Sequence, residues 1–289
     1  MEITSSGQTF GFEETLSLIK LVRDYASSVG VTMSPSSRIA QFESQLRHFG
    51  TMTVGDLFKP GVFDWDEFIE RNRDTTELAF ICNTLAEPVP LELKKWLRLI
   101  LGGTRIPSQQ SDTRSRDKQF ELYVAALFAH SGFSISLDEP DVRFEHGGNW
   151  LGIAAKRISS VEQIEKRVRQ ARSQLARNGL HGYVALSLDC LVPRVEPPRI
   201  VSNPQALDME GSKQIEDLLS NHGRVIAPLL SHSHCLGLIA ICVLTAIVRE
   251  TPTHVGIGTI TTQRMRPRLD DKSTIDLGIA INSRLKGPV

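Results

Sequence analysis

The chain has 289 residues, 40% of them apolar and 23% charged, a composition that closes around a core and excludes a disordered or fibrous polymer. Basic and acidic residues balance at 33 each, so attraction to nucleic acid or to a membrane surface has to come from local clustering rather than from a global field. The four cysteines, at 82, 190, 235 and 242, have neither disulfide-framework nor zinc-site spacing, and MEITSSGQTF carries no secretory pattern, so a reducing cytoplasm is the expected compartment.

Residues 1–108 read as an all-α N-terminal domain. Thr15, Leu18, Ile19, Val22 and Tyr25 recur at helical spacing, a second helix runs from Ser37 to His48, and a third spans Phe68 through Leu85. The acidic group Asp64, Asp66, Glu67 and Glu70 suits the first turn of that third helix, where carboxylates face the positive end of the macrodipole. Leu91, Leu93, Trp96, Leu97 and Ile100 form one face of a fourth helix, which Gly102-Gly103 stops. The polar, aperiodic stretch TRIPSQQSDTRSRDK, residues 104–118, reads as a linker and places the start of a second domain, 109–289.

Beyond the linker helices mix with strands. A helix from Asp117 to His130 carries Phe120, Val124, Leu127 and Phe128 on one face. Three extended pieces follow, FSISL (133–137), DVRF (141–144) and WLGIAAK (150–156), separated by the turn sequences DEP and HGGN. A helix from about Ser159 to Asn178 keeps Val161, Ile164, Val168, Ala171 and Leu175 as its apolar stripe. The strand GYVALSLD alternates poorly and is expected to be buried on both faces. A helix around Ser212 to Leu219, the apolar run Cys235 to Val248 and an extended HVGIGTITT complete the chain. At 14 residues that run falls short of the roughly 20 that a bilayer-crossing helix needs and reads as buried core. The order is that of an α/β fold with a short meander at its start.

The chemistry concentrates in EPDVRFEHGGNWLGIAAKR, residues 139–157. Asp141 opens one strand and Lys156 ends the next across a hairpin, which brings carboxylate and ammonium to one end of the sheet. Phosphodiester hydrolysis needs carboxylates to hold a divalent cation, and a lysine to orient the attacking water and offset developing negative charge.

The order helix, Pro140-Asp141, hairpin, Lys156, helix, over about residues 117–190, resembles the PD-(D/E)XK nuclease superfamily. The resemblance implies a restriction-endonuclease-like mixed sheet flanked by helices, Mg2+ or Mn2+ as cofactor, and cleavage of DNA in preference to RNA. It implies Glu121, Asp141 and the carbonyl of Ala155 at the metal, Lys156 at the attacking water, and Gln170 as a contact from the following helix. It implies regulation by a protein partner or a second copy docking on the N-terminal helices, no membrane, and a place in prokaryotic defence against phage or plasmids. The chain departs from the pattern at Ala154, where the superfamily carries a second acid. Three explanations stand: the acid has moved to the helix at Glu162 or Glu165, the site is dead, or a glutamate has been replaced on purpose. A catalytically inactive subunit that binds nucleic acid or scaffolds a complex is therefore the alternative reading.

Between Lys156 and Arg177 seven basic residues face two acidic ones, and Arg157, Lys166 and Arg169 are the expected phosphate contacts. The bland reading is a solvated helix face. His232, His234 and Cys235 lack a second ligand pair for zinc, Asp189 reads as a turn residue, Gly256-Ile257-Gly258 as a strand, and Trp65, Trp96 and Trp150 as core or interface anchors.

Overall fold

The computed structural model describes residues 4–51, 56, 59, 64–102, 113–191, 200–203, 205–231, 233–251, 254–268 and 272–287. Nine α-helices and eight strands lie among them. The first half contributes β1 (Thr4–Phe10), α1 (Phe12–Ser28), α2 (Arg38–Phe49), α3 (Trp65–Leu85) and α4 (Pro90–Leu101). Then come α5 (Arg114–His130), β2 (Ile135–Ser136), β3 (Val142–His146), β4 (Asn149–Arg157), α6 (Ile164–Arg177) and β5 (Gly182–Ser187). The chain continues through β6 (Ile200–Val201), α7 (Gln205–Asn221), α8 (Gly223–Leu230), β7 (Cys235–Thr251), β8 (His254–Pro267) and α9 (Lys272–Arg284).

All strands share one mixed, open sheet of order β1-β8-β7-β5-β4-β3-β2, with β6 beside β7. β4, β5 and β7 run parallel and the outer pairs antiparallel. Helices cover both faces, as the continuous apolar runs of the central strands require. Ile153, Ala155, Tyr183, Ala185, Ile239 and Ile241 face the layer of α1–α5, while Ala154, Val184, Leu186, Leu238 and Ala240 face the layer of α6–α8. β5 is buried at all six positions, as its sequence predicts. Gly182 of β5 stands against Gly152 of β4, and a Cβ built there would lie 1.8 Å from the Gly152 carbonyl oxygen. Only glycine lets the two backbones pair this closely.

The first half departs from helix alone at Thr4–Phe10, which forms an edge strand antiparallel to β8. Nor does the second helix-rich stretch begin at 117: Arg114–Lys118, expected in the linker, already form the first turn of α5, and 103–112 lie outside the described residues. One apolar cluster joins Ile19, Phe42, Leu78 and Leu97 of the N-terminal helices to Val124 and Phe128 of α5 and to the sheet. No helix among the described residues is long and apolar enough to cross a membrane.

Candidate functional site

The hairpin places the site. Gly147 and Gly148, at φ 60° and 77°, turn the chain between β3 and β4, and the register Val142↔Ile153 leaves Asp141 at a bend just past the last paired row, beside Ala154 and Ala155. The Asp141 Oδ2 accepts the Ala155 N–H at 2.8 Å and the Lys156 Nζ at 2.9 Å. Lys156 and Asp141 are 15% and 10% exposed, so this ion pair sits at the mouth of the sheet, neither free in solvent nor sealed. The N–H and C=O of one strand residue leave on the same side, so the Ala155 carbonyl shares the edge that Asp141 occupies.

Gln174 of α6 completes the grip from the other layer. Its Nε2 donates to Asp141 Oδ1 at 2.9 Å, to Glu139 Oε2 at 3.0 Å and to the Pro140 carbonyl. From the opposite layer, Glu121 of α5 lies within electrostatic reach of Asp141 and is paired with Lys118 one turn earlier; the Lys118 ammonium also stands 4.1 Å from the centre of the Trp96 ring. Burial first, then the Glu121 carboxylate, push the Asp141 pKa from 3.8 to about 7, against the pull of Lys156 and the Ala155 N–H. A carboxyl this far from its ordinary value, in contact with an ammonium, is the signature of a reactive site or of a built ion network.

Two carboxylates that repel, beside a strand carbonyl, suit a small hard cation, which takes one or two carboxylates and completes its shell with water and phosphate oxygens. Among the described residues no group of three or more His, Cys, Asp or Glu converges on one point. The groups at this edge that could hold such a cation are Asp141, Glu121 and the Ala155 carbonyl. Ala154 is fully buried in the apolar layer of α6–α8.

Several expected residues lie elsewhere. Gln170 is exposed and accepts a long hydrogen bond from Arg167, so the glutamine at the site is Gln174, one turn further along α6. Glu162 and Glu165 share the outer, solvent face of α6 with Lys166, Arg169 and Gln170, and Glu165 is bonded to Arg169 at 2.6 Å. Neither faces the Asp141 edge, because the sheet lies on the opposite side of the helix. Arg157 is turned from that face too: its Nη2 donates to Cys190 Sγ at 3.4 Å, and it lies within reach of Arg38 and Asp74 beneath the N-terminal helices. Lys166 and Arg169 thus form one surface and Arg157 belongs to another.

Beneath the site runs a buried charge network that no local pattern announced. Arg116 Nη1 donates to Asp74 Oδ1 at 2.7 Å, Arg38 Nη1 lies 3.6 Å from Asp74 Oδ2, and Arg38 also donates to Gln119. Gln119 Nε2 donates to Glu77 at 2.7 Å, and Glu77 lies 3.7 Å from Arg73. Burial opposes the charge on Asp74, but Arg116, Arg38 and Arg73 outweigh it and lower its pKa to about 2. Burial raises Glu77 to about 7, with Asp189 and Asp74 adding to the shift and Arg73 resisting it. Asp189 joins β5 to this network and accepts the Val243 N–H and the Ser187 hydroxyl, each at 2.8 Å, in the turn role its position implies.

Of the remaining residues, Trp96 packs against α5, Trp150 is 46% exposed rather than a core anchor, and the side chain of Trp65 lies outside the described residues. His234 stacks on His181 with ring centres 5.0 Å apart, and His232 is outside the described residues. Comparison with protein-family models, with curated proteins and with solved structures finds no match to this chain.

Proposed function

We propose that the edge formed by Asp141 and Lys156 is the centre of a metal-dependent nuclease that hydrolyses phosphodiesters of nucleic acid, DNA in preference to RNA, in a fold of the restriction-endonuclease kind. The observation that carries the proposal is the convergence of Asp141, Lys156, Glu121 and Gln174, from the bend before β3, from β4, from α5 and from α6, on the carboxyl end of β4. In open α/β sheets that end is where ligands bind. Asp141, Glu121 and the Ala155 carbonyl would hold Mg2+ or Mn2+, which when bound polarises the phosphoryl oxygen and lowers the pKa of water. Gln174 fixes the Asp141 carboxylate in one orientation. Lys156 presents its ammonium 2.9 Å from that carboxylate, where it orients the water attacking the phosphorus and offsets charge on the phosphoryl oxygens. Lys166 and Arg169 on the outer face of α6 supply sequence-independent attraction to the backbone. Docking of a regulating protein or a second copy on the N-terminal helices, and a place in defence against foreign DNA, belong to the same proposal by virtue of the resemblance.

A second reading is favoured by Ala154. Its methyl is enclosed by apolar side chains, which suits a subunit that keeps the fold and binds nucleic acid without cutting it. A cleavage assay with Mg2+ or Mn2+ on linear, circular and single-stranded DNA and on RNA separates the two. The nuclease proposal expects cutting by the chain and a loss of about 10²-fold or more in Lys156→Ala, with the fold checked by circular dichroism. Cutting that survives Lys156→Ala refutes the assignment. No cutting by either the chain or Ala154→Glu, with salt-sensitive binding, establishes the second reading.

A further inference from the structure

A second concavity lies across the sheet from the candidate site. Its volume is about 620 Å3, within the range of small-molecule pockets. Two of its walls come from the last turns of α7 and from the β8 segment at Arg264, Met265, Arg266 and Pro267; Ile275 and Ile279 of α9 close the third side. Along the sheet, Arg264 falls in the row Lys156↔Leu186↔Ala240↔Arg264, so three strand spacings, roughly 14 Å, separate it from Lys156.

The lining is split by chemistry. Ile275 and Ile279 of α9 make the apolar wall, and Ile279 remains 49% exposed despite its size, whereas Leu219 and Met265 are buried in the two opposite layers of the sheet. Arg224, Arg264 and Arg266 bring three guanidiniums against one carboxylate, Glu216, which is paired with Arg264. Burial and then the neighbouring Arg266 lower the pKa of Arg264, a repulsion that an anion between the two relieves. The amino end of α8 opens on the same space. Its N-cap, His222, makes no side-chain capping hydrogen bond, and a Cβ built on Gly223 would meet nothing within 4 Å. The first N–H groups of a helix have no partner inside it and point toward an anion.

From this juxtaposition we propose that the cavity binds a nucleoside phosphate, its phosphates on Arg264, Arg266, Arg224 and the amino end of α8, its base and sugar against Ile275 and Ile279. The excess of two positive charges matches a phosphate dianion better than a monoanionic carboxylate, and the planar forks of arginine suit phosphate oxygens in pairs. The site is separate from the Asp141 edge, and its occupancy is measured without reference to cleavage.

The test is titration calorimetry of the full chain with ADP, with inorganic phosphate and with palmitate. ADP is expected to bind, inorganic phosphate at least tenfold more weakly, and palmitate not at all. Arg266→Gln is expected to weaken ADP by roughly tenfold or more. Gly223→Asp introduces a charge that favours the helix end into open space, so it keeps the fold while repelling the phosphate, and is expected to abolish binding. Lys20→Gln, on the exposed face of α1, is expected to leave ADP binding unchanged. No heat from ADP at millimolar concentration, binding indifferent to Arg266→Gln and Gly223→Asp, phosphate as tight as ADP, or a preference for palmitate would each overturn the proposal.

Discussion

The replacement Asp74→Asn tests whether the charges beneath the site hold the fold together. Asp74 is 2% exposed and faces Arg116 at 2.7 Å and Arg38 at 3.6 Å, guanidiniums that are themselves 3% and 1% exposed. Asparagine keeps the shape and one acceptor but removes the negative charge, leaving a surplus of cations in the dry layer between α2, α3 and α5. Disrupting one partner of such a buried group costs about 3–5 kcal/mol. An independent figure comes from the carboxyl itself: the difference between its ordinary pKa of 3.8 and about 2 corresponds to about 2 kcal/mol of preference for the charged form. Because the folded pKa is lowered, that contribution is present above about pH 4 and lost as pH falls toward 2. Urea denaturation of the chain and of Asp74→Asn at pH 7 and at successively lower pH should give a gap of about 2–5 kcal/mol at neutrality that narrows below pH 4. A gap under about 1 kcal/mol at pH 7, or one that widens in acid, would refute the reasoning.

Glu77→Gln should act in the opposite pH window: a carboxyl raised to about 7 supports the fold below about pH 4.5 and withdraws that support as pH rises through 7. The variant's melting temperature should therefore fall less than the parent's between pH 5 and pH 8, and an equal fall in both counts against it. Gly182→Ala drives a methyl against the Gly152 carbonyl oxygen and should cost about 3 kcal/mol in chemical denaturation; a neutral result would mean that β4 and β5 do not pair in this register. In the cleavage assay Gln174→Ala should lose tenfold or more and Gln170→Ala nothing, because only Gln174 donates to Asp141; equal effects would show that the glutamine contact is incidental.

Local patterns carried much of this architecture. The stripes of α1 to α6 and the glycine turn between β3 and β4 are visible because near neighbours in sequence make them, and the pair Asp141 and Lys156 is visible because that turn joins it. Where the signal fails, the cause is physical. TSSGQTF has no apolar alternation, so its joining the edge of β8 is a matter of tertiary pairing alone. The buried face of α9 is Thr274, Gly278, Ile281 and Asn282 while Ile279 is exposed, which erases the apolar stripe. A 3-10 turn at Val161–Gln163 delays the regular α6 to Ile164 rather than near 159; the stripe is as read, but Gln170 and Gln174 lie one turn apart on nearly the same face, and which of them is level with Asp141 depends on the tertiary placement of the helix. Arg38, Asp74 and Arg116 meet across long separations, and charged residues read singly look like solvent-facing ones. Lys118, paired with Glu121 three residues on, was detectable as a helical i,i+3 pair.

β4 is a partition. Ala154 presses into one dry layer and Ala155 into the other, and the very next residue is Lys156. Whatever swells or empties either chamber tilts the wall between them, and the tip of the wall is where the ammonium stands. Aim at this edge is thus a property of two interiors at once, and substitutions far from it, on either side, should register there as misalignment before they register as unfolding.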